Sequence, residues 1–149
     1  MILQKLHDTA IALKSGSGVL AASTDGTLKI GSYSIEGPGE YDSAGIGLTV
    51  SDDLAVAVCE GIQIALVWGS PKPESTETAS VDILVSFIDN ATMITNMVKS
   101  LDPRIIVFLN PSVATEVATK DGITLNSVSN YKITAATLPA DIREAVLLL

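Results

Sequence analysis

Ile35-Glu36-Gly37-Pro38-Gly39-Glu40-Tyr41-Asp42-Ser43-Ala44-Gly45-Ile46 is the stretch on which the fold turns. Proline fixes one backbone torsion and the glycines on either side supply conformational freedom. Gly37-Pro38-Gly39 therefore reads as a rigid corner between two apolar runs. Glu40 and Asp42 flank Tyr41, and a period of two points both carboxylates to one face of an extended segment. Such a pair suits acid/base work or a hard cation such as magnesium, and Glu40 equally suits the backbone amides that a sharp corner leaves without partners.

Upstream of the corner the chain reads as successive strands. Residues 1–6 and 9–14 are short apolar-rich runs, and Ser15-Gly16-Ser17-Gly18 folds the second back onto residues 19–23. Ala10, Ala12, Ala21 and Ala22 leave little polar surface on either face, which predicts strands covered on both sides. Asp25-Gly26 is a type I′ turn signal, and Leu28, Ile30, Tyr33 and Ile35 alternate along one further strand into the corner. Downstream, residues 45–50, 54–59 and 62–68 continue the strands, with Ser51-Asp52-Asp53 and Glu60-Gly61 as their turns.

Residues 69–80 (GSPKPESTETAS) are polar and rich in Pro, Ser and Thr, and predict a surface loop around a single helical turn. The pattern then changes. Residues 81–88 form a nearly continuous apolar strand, and Asp89 or Asn90 caps a helix with Met93, Ile94, Met97, Val98 and Leu101 at helical spacing, stopped by Asp102-Pro103. Residues 104–109 are a second buried strand. Asn110-Pro111 then pairs a capping side chain with proline at the first helical position, and Gly122 is placed to end that helix. Two strand-helix units in succession imply parallel pairing. Residues 131–134 and 144–149 read as closing strands around a turn at 138–141.

The 149 residues are read as one domain, 1–149, able to bury about two thirds of its unfolded surface. With 47% apolar, 17% charged and only 4% aromatic residues, the core must be Ala, Val, Ile and Leu. A formal charge of −8, with nine Lys and Arg scattered along the chain, argues against nucleic acid and anionic membranes as partners. The single Cys59 excludes an intrachain disulfide and a cysteine-rich metal site, and fits a reduced cytoplasm. The apolar run at 105–109 is too short to span a bilayer, and Gln4-Lys5 interrupts any signal-peptide core.

The corner resembles the GPGEY(D/E)xxG segment of metallo-β-lactamase-fold hydrolases, particularly the branch similar to ascorbate-6-phosphate lactonase. Residues 81–85 (VDILV) resemble that family's VDILLVP strand, and 101–107 (LDPRIIV) its LEPKIVIP. Residues 131–134 with Leu138-Pro139 resemble its closing strand, and Met1-Ile2 with His7-Asp8-Thr9 its opening strand and glycine-histidine turn. The resemblance implies an α/β (mixed α+β) fold: a reduced αββα sandwich of two mixed sheets packed face to face, with few outer helices.

Hydrolases of this family hold one or two divalent metals, usually zinc, that activate a bound water. Their first ligands lie in an HxHxDH loop before the corner, yet residues 24–36 contain no histidine, so the loop and its following helix look deleted. Ser70 stands at the family's Gly-Asp aspartate, and Asn110 at the histidine that ends a later strand. His7 is the single histidine, and a catalytic zinc takes two or three nitrogen or sulfur ligands. The expectation is a metal-free, cofactor-free, non-catalytic member of the fold with a binding or structural role. The alternative is a lactone or phosphoester hydrolase whose site is rebuilt from Glu40, Asp42 and Ser70.

Ser112 and Cys59 are nucleophiles by residue type alone, with no Gly-x-Ser-x-Gly elbow and no base tied to them by sequence. Cys59 reads as buried and inert, His7 as a turn residue, and Gly16 and Gly18 as turn glycines rather than a phosphate loop. Met93, Ile94 and Met97 are either core or a recognition stripe, with core favoured by their spacing. Trp68 belongs at a pocket or interface, or as a lid over the core. A deleted helix would uncover the first sheet, which predicts a homo-oligomer through Ile11, Leu13, Val19 and Leu20, or an unknown protein partner in their place.

Overall fold

Alternation of apolar and polar residues builds two sheets that face each other, described over residues 1–69, 81–140 and 143–149 of a computed structural model. The first half runs through β1 (Ile2–His7), β2 (Ala10–Ser15), β3 (Gly18–Ser23), β4 (Leu28–Ile30), β5 (Tyr33–Ser34), β6 (Gly39–Ser43), β7 (Ile46–Ser51), β8 (Leu54–Cys59) and β9 (Ile62–Val67). The second half holds β10 (Ile83–Ser86), α1 (Ala91–Leu101), β11 (Ile105–Phe108), α2 (Pro111–Asp121), β12 (Leu125–Val128), β13 (Asn130–Lys132) and β14 (Glu144–Leu148).

Among the described residues the first sheet is ordered β13-β1-β2-β3-β4-β5 and the second β12-β14-β11-β10-β9-β8-β7-β6. Antiparallel hairpins make up the first half, whereas β9, β10, β11 and β14 pair in parallel. The two strand-helix units were read with that pairing. Leu13, Leu20 and Ile30 of the first sheet meet Leu48, Ile64 and Val107 of the second in one aliphatic core. The opposite face of the second sheet packs on the helices, where Leu84, Ile106 and Phe108 meet Ile94, Val98 and Val117. Met97 is buried there with Met93 packed against it, so the methionine stripe is core. Among the described residues no helix is long and apolar enough to cross a membrane.

Several local expectations are corrected. The single strand expected over 28–35 breaks at Gly31, which takes φ +58°, into β4 and β5. Gly26 alone takes positive φ in the turn after β3, where the Asp25 carboxylate accepts from the Thr27 amide at 2.9 Å, so the turn is not type I′. The segment after the corner is itself a strand, β6, joined to β7 by Ala44-Gly45 with both residues at positive φ. Residues 125–128 add β12, parallel to β14. A 3-10 turn stands at Ala135–Thr137, just before the expected turn, whose Asp141 lies outside the described residues, as do residues 70–80 of the polar loop.

The proposed oligomer patch is also corrected. Ile11, Leu13 and Leu20 are 1%, 2% and 1% exposed because alternation aims them at the second sheet, and of the four only Val19 is exposed. The outer face is covered in part: Ala10 and Ala12 of β2 are buried there, as the alanine-rich strands predicted, whereas Lys14 and Val19 are exposed.

Candidate functional site

The carboxyl ends of β10 and β11 open onto a cleft of about 450 Å³ between the two sheets. Parallel strands leave such a crevice where their chains depart into helices, and ligands of α/β sheets bind there. The first sheet and its turns contribute Lys5, Asp8, Thr9 and Thr24, and the second contributes Ser86, Asp89 and Asn110 over apolar Phe87, Phe108 and Leu109.

Lys5 reaches the cleft beside a register shift in β1 between Lys5 and His7. Its Nζ lies 3.1 Å from the Asp8 carboxylate, with 16% of the Lys5 side chain exposed against 98% for Asp8. An ammonium carries three N–H donors, so Lys5 keeps donors without a partner among the described residues. Thr9 places its hydroxyl 2.9 Å from His7 Nδ1 and its carbonyl 2.7 Å from the Thr24 amide, which donates to it. His7 is exposed and serves the turn between β1 and β2, as its sequence position implied.

Asn110 sits where the family resemblance places a metal ligand, and its side-chain oxygen is engaged by the helix. Oδ1 accepts from the amides of Ser112 at 3.0 Å and Val113 at 3.4 Å, capping α2, while Nδ2 donates to Asp89 Oδ1 at 3.1 Å. Both lone-pair directions of the carbonyl oxygen therefore face α2. Ser86 is buried, and its hydroxyl accepts from the Ile88 amide at 3.2 Å. Among the described residues no three His, Cys, Asp or Glu side chains come close enough together to hold a metal ion. The donors in the cleft are two carboxylates, an amide already in use and no imidazole, and they do not fit zinc.

The other sequence candidates lie elsewhere. Glu40 and Asp42 share the exposed outer face of the edge strand β6, as their spacing required, and do not line this cleft. The corner is tied by Tyr41, whose hydroxyl donates to the carbonyls of Gly37 at 2.9 Å and Glu36 at 3.3 Å; Glu40 holds none of the corner's amides among the described residues. Ser70 lies outside the described residues. Ser112 is exposed in the first turn of α2. Cys59 is 2% exposed, and burial, followed by the charge of Glu60, pushes its thiol up from the ordinary value, so it stays protonated and inert. Trp68 donates from Nε1 to the Ser23 carbonyl at 2.7 Å and stacks on Phe87 at 5.1 Å, bridging the two sheets beside the cleft.

No family model matches the sequence, and no curated protein matches it. The architecture does have a match. It superposes with a TM-score of 0.75 and 11% identity on the crystal structure of a Thermotoga maritima protein provisionally assigned as a Zn-dependent hydrolase of the metallo-β-lactamase superfamily. The chain has a metallo-β-lactamase-like fold. The match covers 99% of this chain and 98% of the other. Lys5, Thr24 and Asp89 escaped the sequence reading. A lysine beside Gln4 within an apolar-rich strand was the available signal, and Asp89 carried one only as a cap.

Proposed function

We propose that the chain is a degenerate metallo-β-lactamase-superfamily protein, of the branch similar to ascorbate-6-phosphate lactonase, acting in the cytoplasm as a metal-free binding protein. The observation that carries this reading is the engagement of Asn110 in the cap of α2, at the end of the strand where a ligating histidine would stand. A metal site needs side chains whose lone pairs converge on one point. Here they are turned into the helix. The cleft remains as a receptor: Lys5 offers a cation, Thr9 and Thr24 offer hydroxyls, and Phe87 and Phe108 supply apolar walls for a small polar ligand. Elemental analysis of protein purified without an affinity tag tests the reading. The expected result is no stoichiometric zinc and an unfolding midpoint that added zinc leaves unchanged. One tightly held zinc per chain overturns it.

A second reading, a lactone or phosphoester hydrolase with a rebuilt site, draws on Asp8 and Asp89 sharing the cleft with Lys5. Turnover of such a substrate by the wild type, abolished in Asp89→Asn and retained in Asp42→Asn, would establish it and locate the chemistry in the cleft.

A further inference from the structure

The outer face of the first sheet is basic on an acidic protein. Cross-strand register aligns Lys132, Ile2, Lys14 and Val19 in one row, and Gln4, Ala12, Ala21 and Lys29 in the next. Lys14, Lys29 and Lys132 are exposed and have no carboxylate partner among the described residues, and they are three of the nine cationic residues on a chain of net charge −8. Between them Ala12 is buried and Ala21 half-buried, so the three lysines are the groups that this face presents. On the opposite side of the sandwich, the outer face of the second sheet carries Glu40 and Asp42 around a shallow depression at Gly47, beside Val58 at 44% exposure.

These two faces are complementary in charge, and we propose that one copy of the chain stacks its Lys14/Lys29/Lys132 face on the Glu40/Asp42/Val58 face of the next. Alternative self-contacts are disfavoured by the same charges. A two-fold contact through the lysine face sets lysines on lysines. Antiparallel pairing of two β6 edges about Tyr41 sets Glu40 directly opposite the second copy's Asp42, a like-charge pair. The complementary faces lie on opposite sides of the sandwich, so the contact is head to tail and does not close. Six strands about 4.8 Å apart and three outward rows about 7 Å apart give a face of roughly 500 Å². A stable interface takes about 800 Å² per partner. The association is therefore weak, reversible and salt-sensitive, with screening lengths of about 10 Å at 0.1 M salt falling to about 3 Å at 1 M.

Sedimentation equilibrium over a concentration series tests this. The wild type is expected to gain average mass with concentration at low salt and to sediment as a monomer near 1 M salt. The pair Lys14→Glu/Lys29→Glu and the pair Glu40→Lys/Asp42→Lys should each be monomeric at low salt. Mixed in equal amounts, they should associate again, because each then meets its complement. Both variants keep a net negative charge, since each alters two residues on a chain at −8, so the mixture gains nothing from overall attraction. A wild type monomeric at low salt, association undiminished in either variant alone, or a mixture that stays monomeric each overturns the proposal. Circular dichroism of both variants confirms that the folds compared are intact.

Discussion

Replacing Asn110 by alanine, aspartate and histidine separates its structural role from a ligand role. The side chain accepts two amide hydrogen bonds at the start of α2, at 3.0 and 3.4 Å, and donates one to an exposed carboxylate. Loss of an N-cap costs about 1 kcal/mol within a range of about 0.5–2. The second amide bond is long, and the link to Asp89 is solvated and adds little. Asn110→Ala should therefore lower stability by about 1–1.5 kcal/mol, or about 2–6 °C in Tm for a chain of this size. Asn110→Asp keeps an equally good cap and gains from the helix N-terminus, but it sets a second carboxylate beside Asp89, so its loss should be smaller than that of alanine. Asn110→His should lose about as much as alanine and bind no zinc, because the other ligands do not converge there. Urea midpoints with zinc analysis of all four proteins make the comparison. An alanine variant as stable as the wild type refutes the capping role. A histidine variant that takes up one zinc refutes the claim that the neighbouring donors cannot complete a site.

Gly18 packs at the β2–β3 turn against the second sheet, and a Cβ there would stand 2.6 Å from the Ala44 carbonyl oxygen; Gly18→Ala should cost about 1–3 kcal/mol in urea unfolding. Gly39 holds φ +148° with only Tyr41 near an added Cβ, at 3.6 Å, so Gly39→Val should cost about 1–3 kcal/mol through backbone strain alone, and an unchanged midpoint would show that the corner tolerates any residue. Tyr131 is pushed up to about 12 by burial first and by the Glu144 carboxylate that its hydroxyl reaches at 3.2 Å. A folded value raised above the unfolded one contributes stability below pH 10 that is lost as pH rises through about 12, so absorbance titration should show one late tyrosine that moves earlier in Glu144→Gln. Glu60 is held below the usual carboxylate range by the Ser15 hydroxyl at 2.7 Å and by the Met1 ammonium. Its contribution is present above the unfolded carboxylate value and lost as pH falls through the lowered one, and Glu60→Gln should flatten that part of the acid-unfolding curve.

The parts of the fold that were legible are those whose signals are local. Asn90 and Asn110-Pro111 open α1 and α2, and Asp102 and Gly122 close them in the left-handed conformation. The apolar runs of β10 and β11 declare strands buried on both faces. By contrast β12, Leu-Asn-Ser-Val, has little intrinsic strand character and exists through its parallel pairing with β14, a contact that composition does not announce. The patch expected to meet another copy fell on the inner face of β2 and β3, because alanines at the alternate positions hide the alternation that Ile11, Leu13 and Leu20 obey. For the site, Asn110 was legible through its place at a strand end. Lys5 and Asp89 were not, because they stand 84 positions apart in the chain and reach one cleft only when the two sheets close on each other.

The same separation explains how the fold stands without a metal in the metal-free reading proposed above. Domains that need a metal to fold lack a core large enough to hold the chain, so ligand and fold are lost together. Here the parallel strands of the second sheet are buried on both faces, by Ile64 and Val107 against the first sheet and by Leu84 and Ile106 against the helices. The ends of β10 and β11 carry asparagines that cap the helices following them, at Asn90 and Asn110. A residue at that position either turns its lone pairs outward to a metal or inward to the helix amides. Turning inward adds stability to α2 and leaves neither lone pair of Asn110 for a metal, so the fold is held by the cap and not by a ligand.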